Sequence, residues 1–448
     1  DLKYKLSLLK KLVIIDDYPS YFQGYIIKMS AILFRRCAMY HLKNFLGDKF
    51  ERVRSIIDNE YSQMNEYVNL IGSANYAFPS VLEAMNTPFN LNPSEGSRGN
   101  RYFPLCDGID SLEAMAEEML LKLFHCNGYS SNIEAYSGTQ ANQIVYQAVL
   151  KPNDAVVIMA PNAGGHVSHY HYLKTFCNIY TYSVNEMEEI DYEAIEILCK
   201  KNHPRLLIAG ASSYPRNIDY IKLSEICQKY NTLLLADISH TAIYIAANRH
   251  VSPFGYADFV TFTTHKTTRG IRGGIVMCKE EFISKINRAT FPIVQGAPKF
   301  NEVLAKTIML AELDLININE YVDRILKLSS SFVNIFKEHD LKLYTNGSDS
   351  HLILVDLRES SFTGKEAEEL LLKQHILVNR NQLPNDRRSA NITSGIRIGI
   401  LTLATLNMPE KEYNQLASLI ASTIKQRRII DCTLACEIIK PYKIIYKQ

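Results

Sequence analysis

The segment Thr261 to Gly274 reads TFTTHKTTRGIRGG and sets one amine, that of Lys266, among threonine, histidine, arginine and glycine. FVTFTTH before it is β-branched and aromatic like a strand, and RGIRGGIVMC after it returns to a strand through glycine-rich turns. Lys266 is therefore expected at a strand end, where an amine can condense with an aldehyde as a Schiff-base lysine does. Thr263, Thr264 and His265 stand beside it as hydrogen-bonding groups for an anionic cofactor. A lysine in a basic loop is more often only a solvated charge, so this assignment needs support from elsewhere in the chain.

Upstream, LLLADISH (Leu233 to His240) is an apolar run ending in Asp237 and His240. Parallel strands between helices are buried on both faces, so an aspartate at the carboxyl end is paired, functional, or a cap for the next helix. A pyridinium nitrogen would suit it. Protonation of that nitrogen makes pyridoxal phosphate an electron sink, and a buried carboxylate maintains the proton. The third element is Tyr136 to Leu150, YSGTQANQIVYQAVL, in which Ser137, Gly138 and Thr139 precede an amphipathic helix. Free backbone N–H groups and the positive end of the helix dipole would face a phosphate there, although Ser and Thr also simply cap helices. Phosphate cradle, then acid, then lysine is the chain order of pyridoxal-phosphate enzymes of fold type I, the aminotransferase-like α/β fold.

These residues need a sheet to hold them. AVVIMA, LLIAGAS, LLLADIS and FVTFTTH alternate with helical stretches from about Ser111 to Asn287, which predicts a mostly parallel sheet. Phe50 to Leu70 reads as a helix, Val303 to His339 as connecting helices, HLILVDL and SGIRIGI as strands, and GKEAEELLLKQH as a helix. The expected division is a basic N-terminal extension (1–50), an arm with the substrate segment (51–110), a large cofactor-binding domain (111–310), and a helical connection with a small C-terminal α/β domain (311–448). With 448 residues, 47% of them hydrophobic, the chain can bury cores of this size. A net charge of +2 argues against a general nucleic-acid binder. Nine cysteines without Cys-x-x-Cys pairs offer neither a zinc cage nor a disulfide framework. Cys106, Cys126, Cys177, Cys199, Cys227 and Cys278 read as small core hydrophobes. In GGHVSHYHYL, His169 and His171 are two apart, a spacing for one face of a strand, but no third ligand is nearby and no metal is expected.

Together the segments resemble one family, serine (glycine) hydroxymethyltransferase, from about Ile56 to the C-terminus. The most specific are THKTTRGIRGG, SGTQAN, GGHVSH (Gly164 to His169), DISH, FTGKEAEELL (Phe362 to Leu371) and VNRNQLPNDRRSANITSGIRIG (Val378 to Gly399). The resemblance implies interconversion of serine and glycine, with pyridoxal 5'-phosphate as cofactor and tetrahydrofolate as acceptor of the hydroxymethyl carbon. Carried over by position, Lys266 is the Schiff-base lysine, Asp237 pairs with the ring nitrogen, and His166 stacks on the ring. Ser212 and His240 approach the phenolic oxygen. Ser137, Gly138 and Thr139 match the phosphate turn, while Gly296 and Ala297 match a pair reaching the phosphate from the neighbouring subunit. A homodimer with a shared site is implied, with a tetramer left open. Arg397 in SGIRIG matches the grip on the substrate carboxylate, which suits a planar guanidinium, and Ser73 resembles its helper. Glu95 and Asn381 match positions near the folate, Glu95 being the carboxylate that moves protons at the substrate hydroxyl. Thr264 joins Lys266, Glu95 and Asp237 in the expected catalytic set.

Departures from the family pattern cluster in the N-terminal part of the site. Ser73-Ala74-Asn75 stands where the family has Ser-Glu-Asn, and tyrosines are missing at Pro93 and Phe103; Pro161, Ala163 and Ala297 also differ. Proline offers no donor, and Phe103 keeps a ring without its hydroxyl. A lost charge-linked hydrogen bond is worth about 1.5–3 kcal/mol, so weakened turnover with retained cofactor is expected. Two alternatives stay open: a cofactor-binding but feeble paralogue acting as an interaction or regulatory subunit, and a folate-independent β-hydroxy amino acid aldolase. Arg387-Arg388 reads as a solvated loop or a contact for an acidic folate tail. Tyr18 to Gly47 has no acidic residue and sets Lys28, Arg35, Arg36 and Lys43 among apolar positions, like a mitochondrial targeting segment. No run is long enough to span a membrane.

Overall fold

The computed structural model describes residues 50–442. The basic stretch Tyr18 to Gly47 lies outside them. The chain divides into two compact units, residues 68–435 in one and, among the described residues, 50–67 with 436–442 in the other. In the latter, residues 50–66 form helix α1, and Cys436 Sγ lies 3.3 Å from the Glu66 carbonyl oxygen. The helix expected to run to Leu70 stops earlier because Val68 and Asn69 pair in parallel with Ile376 and Leu377, so strand pairing prevails over helical extension.

The larger unit is built on a sheet of seven strands: β1 (Tyr129–Asn132), β2 (Ala155–Met159), β3 (Asn178–Tyr182), β4 (Leu206–Ala209), β5 (Leu233–Asp237), β6 (Phe259–Thr263) and β7 (Gly274–Lys279). Their order is β1-β7-β6-β5-β4-β2-β3. β2 to β6 pair in parallel, and β7 runs antiparallel to both β6 and β1. The apolar runs are explained by this burial: every residue of β4 and β6 is inside. Ile144, Val145, Tyr146, Val156, Ile158, Leu206, Leu235, Phe259 and Val276 form one core between the sheet and helix α2 (Gly138–Val149). Cys106, Cys126, Cys199, Cys227 and Cys278 are buried, and Cys177 is half-buried.

A second, antiparallel sheet joins β8 (Leu352–Asp356), β10 (Gly395–Gly399) and β9 (Asn379–Asn381) in that spatial order. Arg397 sits in its middle strand, opposite Leu354 on one side and Asn379 on the other. The helix Gly364–Leu372 beside it starts with a capping box between Thr363 and Glu366.

GGHVSHYHYL is not a strand. Residues Val167–Leu173 form helix α3, with His166 as its N-cap. Two positions along a helix point apart, so His169 is buried at 4% exposure while His171 faces solvent. Among the described residues, no group of three or more His, Cys, Asp or Glu is placed to hold a metal. No helix there is long and apolar enough to cross a membrane.

Candidate active site

Open α/β sheets bind ligands beyond the carboxyl ends of their strands, and Asp237 is the last residue of β5. Lys266 follows three residues after the neighbouring β6 ends. Between these ends and α2 lies an open cleft, lined by Gly138, Thr139, His166, Ser212, Asp237, His240 and Lys266 among others. Ser137 caps α2 by accepting the Gln140 N–H at 3.1 Å. Gly138 opens the helix where no side chain fits: a Cβ there would lie 2.3 Å from Thr263 Cγ2. The first turn of α2 thus presents bare backbone to the cleft, as an anion site requires.

The Lys266 loop is held from several sides. Gly270 N–H and the Thr268 hydroxyl both donate to the Thr264 carbonyl, at 2.6 and 2.8 Å. Asn75 Nδ2 donates to the Lys266 carbonyl at 2.7 Å. The residue is only 7% exposed. Burial pushes its amine down to about 8, against the pull of Asp237 and with help from the charges of Arg397 and Arg272. An appreciable share is then uncharged and nucleophilic near neutral pH.

Asp237 is oriented through both oxygens. Oδ1 accepts the Ser239 N–H at 3.0 Å, and Oδ2 accepts Asn142 Nδ2 at 2.8 Å with His169 Nε2 at 3.4 Å. Thr261 in turn donates to Asn142 Oδ1 at 2.6 Å, which settles the orientation of that amide. Burial raises the carboxyl, but His169, the Ser239 N–H and the Lys266 charge outweigh it and hold the group well below the usual carboxylate range. A permanent anion at the cleft floor suits a cationic ring nitrogen. His166 is pushed down to about 4, mainly by burial, and so presents a neutral ring. Its Nδ1 is 2.6 Å from the Ser168 hydroxyl.

Arg397 reaches the cleft rim from the second sheet. Its Nε donates to Asn379 Oδ1 at 3.0 Å and its Nη1 to the Ser212 carbonyl at 2.5 Å. Ser73 follows Gly72, which abuts the same guanidinium: a Cβ on Gly72 would meet Arg397 Nε at 2.8 Å.

The fold therefore brings together Gly138, Thr139, His166, Ser212, Asp237, His240 and Lys266, with Ser137 capping the adjoining turn. Other expected residues lie off this wall. The Thr264 hydroxyl, expected at the reacting centre, instead donates to the Ile271 carbonyl at 2.6 Å and closes the glycine loop. His265 Nε2 is 3.5 Å from Arg272 Nη1. Glu95 lies in the hairpin of Gly96–Ser97 with Asn100–Arg101, its carbonyl accepting the Tyr102 N–H at 2.9 Å. Gly296 and Ala297 form a loop tied to Tyr136, whose hydroxyl donates to the Ala297 carbonyl at 2.6 Å. Asn381 ends β9 and donates to the Gln382 carbonyl at 2.5 Å. Arg388 is no free surface charge: it donates to the carbonyls of Leu357, Phe362 and Ser360 and so knits its own loop, leaving Arg387 exposed. Asn75, Asn142, Ser239 and His169 are site residues that sequence reasoning missed. Each lay inside a segment already singled out (Ser73-Ala74-Asn75, SGTQAN, DISH and GGHVSH), and Asn142 carried the further signal of standing one helical turn after Gly138.

Among the described residues, three buried polar atoms flanking Lys266 have no hydrogen-bond partner: Thr263 Oγ1, His265 Nδ1 and Thr267 Oγ1. Buried polar groups are normally satisfied. Such a concentration, with an anion-ready helix start and a carboxylate floor, fits a phosphorylated aromatic aldehyde. The architecture is that of the aminotransferase-like α/β class, fold type I of the pyridoxal-phosphate proteins.

Comparison with known proteins narrows the class. The family model for serine hydroxymethyltransferase matches residues 46–420. A serine hydroxymethyltransferase of Mycoplasma capricolum subsp. capricolum is 38% identical over 381 residues, covering 84% of this chain and 92% of that protein. One of Mycoplasma mycoides subsp. mycoides is 38% identical over 378 residues, 83% and 91% of the two chains. Serine hydroxymethyltransferase 1 of Pseudomonas fluorescens is 36% identical over 378 residues, 84% and 91%. The chain belongs to the serine hydroxymethyltransferase family.

Proposed function

We propose that this chain holds pyridoxal 5'-phosphate in the cleft and interconverts serine and glycine, exchanging the hydroxymethyl carbon with tetrahydrofolate. The observation that carries the reading is the buried Lys266 amine of lowered basicity, set at the same sheet edge as a permanently ionised Asp237, in a chain of this family. When bound, the cofactor supplies the sink for the electron pair left by Cα–Cβ cleavage.

The protein's own groups do the rest. Lys266 would hold the cofactor through its amine, whose lowered basicity leaves a share uncharged near neutral pH. The Ser137–Thr139 turn would hold the phosphate, Asp237 would keep the ring nitrogen protonated, and His166 would lie against the ring. Ser212 and His240 serve the phenolic oxygen. Arg397, assisted by Ser73, grips the substrate carboxylate and so aligns the breaking bond. Glu95 moves the proton of the substrate hydroxyl, and Asn381 contacts the folate.

Glu95, Gly296 and Ala297 do not line their own chain's cleft, and large apolar side chains are exposed nearby in sequence: Leu91 at 85%, Tyr102 at 67% and Leu105 at 81%, with Phe103 and Ile293. Tyr102 and Phe291 bring these two segments together, ring centroids 5.5 Å apart. This supports a homodimer in which each copy completes the other's site. The mitochondrial destination rests on the basic, acid-free stretch Tyr18 to Gly47. Residues 1–50 fused to a fluorescent protein should reach mitochondria, and a diffuse signal would remove that part.

Serine-to-glycine turnover at saturating cofactor, with and without tetrahydrofolate, tests the reaction against Lys266→Ala as control. Turnover above the control that requires the folate is expected. Cleavage indifferent to folate would indicate an aldolase, and a rate equal to the control a feeble paralogue.

A further inference from the structure

Behind the cleft wall stand two rings to which the reaction above assigns no task. His240 lines the cleft, and its Nδ1 lies 3.3 Å from Nε2 of His351, a residue with no exposed surface immediately before β8. His351 Nε2 is also 3.1 Å from the Gly72 carbonyl oxygen, and its Nδ1 is 3.1 Å from the Tyr244 hydroxyl. The two imidazole planes are within 14° and their centroids 5.4 Å apart. With nitrogens at 3.3 Å, so long a centroid distance means that the rings meet edge to edge, as a hydrogen bond needs.

Only one placement of hydrogens satisfies this line. Burial pushes His351 down to about 3 and His240 well below its ordinary value, so both are neutral and each carries one N–H. Burial likewise keeps the Tyr244 phenol protonated. The Gly72 carbonyl can only accept, so the hydrogen of His351 is on Nε2. Nδ1 is then a lone pair and accepts from Tyr244. His240 Nδ1 faces the His351 Nε2–H and must also be a lone pair, since a hydrogen there would oppose another. The one hydrogen of His240 is left on Nε2, which among the described residues has no protein partner.

We propose that Tyr244 and His351 are positioning residues that lock His240 in its Nε2–H tautomer, giving the cleft a fixed neutral donor for an oxyanion of its occupant. The assignment of that oxyanion rests on the proposed function: the phenolic oxygen of the cofactor ring. The lock also ties this donor to Gly72, and through it to the Ser73 and Arg397 side of the cleft, so donor and carboxylate grip share one backbone anchor.

The test uses the full chain with ring-¹⁵N histidine, before and after loading with pyridoxal phosphate, His240 being assigned by its loss in His240→Gln. Long-range ¹H–¹⁵N spectra should show the proton of His240 on Nε2. Tyr244→Phe, with little change in melting temperature, should raise the Nδ1–H population about fivefold, the worth of one net hydrogen bond. His351→Leu should weaken pyridoxal phosphate binding about three- to tenfold. A proton on Nδ1 in the wild type, or a Tyr244→Phe spectrum identical to it, overturns the lock, and both remain readable if His351→Leu does not fold. Unchanged affinity in a folded His351→Leu overturns the link to the ring oxygen. Failure of the wild type to develop a visible band with pyridoxal phosphate would instead overturn the functional reading and leave the tautomer result standing.

Discussion

His169 Nε2 lies 3.4 Å from Asp237 Oδ2, while Nδ1 of the same ring meets the Tyr146 hydroxyl in the buried core. The imidazole thus spans from a core phenol to the carboxylate at the cleft floor. It acts on Asp237, and through it on anything cationic that Asp237 holds. His169→Leu should raise the Kd for pyridoxal phosphate about tenfold, the cost of a lost charge-linked hydrogen bond, as titrated by the visible band. His171→Leu on the solvent side of the same helix should leave it unchanged. Equal effects from the two would show that the helix, not the contact, matters.

Capture of an aldehyde by Lys266 requires its uncharged form, and the amine sits at about 8 rather than at its ordinary value. The rate of pyridoxal phosphate uptake by the apoprotein should therefore rise about tenfold per pH unit and level off near pH 8. Asp237 raises the amine and Arg397 lowers it. Asp237→Asn should move the midpoint down and Arg397→Leu should move it up. Rapid-mixing absorbance across pH reads all three, and a wild-type rate still climbing beyond pH 10 would contradict the burial argument.

The Arg101 side chain, 3% exposed, binds Asp110, Glu113 and Glu134 and the carbonyls of Ser94 and Gly96, so it fastens the Glu95 hairpin to the helix Asp107–Leu123 and to Glu134 just beyond β1. Burial and then Glu113 push Glu134 up to about 8, against Arg101. A carboxyl raised on folding contributes stability at low pH that is lost as pH climbs from its unfolded value toward 8. Glu134→Gln should therefore raise the melting temperature at pH 8 and change it little at pH 4. Arg101→Met, which strands buried carboxylates, should cost about 3–5 kcal/mol in denaturant unfolding. A Glu134→Gln gain that is the same at both pH values would show that Glu134 does not titrate there.

Phe103 stands where the family resemblance places a tyrosine beside the substrate, and its ring is 41% exposed in its own chain. Phe103→Tyr should restore one hydrogen bond and raise serine turnover about tenfold, with melting temperature unchanged. Steady-state rates at saturating folate check this. An unaltered rate would remove Phe103 from the site and leave Ala74 or Pro93 to account for any slow turnover.

Lys266, Asp237 and the SGTQAN turn were legible because each is a polar group interrupting an apolar run at a strand or helix end, where burial has to be explained by partners. The parallel strands were legible because burial on both faces makes them near-continuous apolar runs. Gly138, read as part of a phosphate cradle, also proves to be a place where no Cβ can pass Thr263. His169 was not legible as a site residue because two positions along a strand and two along a helix point differently, and only the fold shows which applies. Thr264 was misread for a similar reason: its neighbours in sequence did not reveal that Ile271, seven residues on, folds back to take its hydroxyl.

By itself the sequence determined the family and so the type of chemistry, since the order of an amine, an acid and a Ser-Gly-Thr turn is a covalent feature that no folding alters. The tertiary structure decided which groups surround them. Asn75, Asn142, His169 and His351 reach the site from segments far apart in the chain, and hydrogen bonding and desolvation depend on distances that only the packed sheet and its loops set.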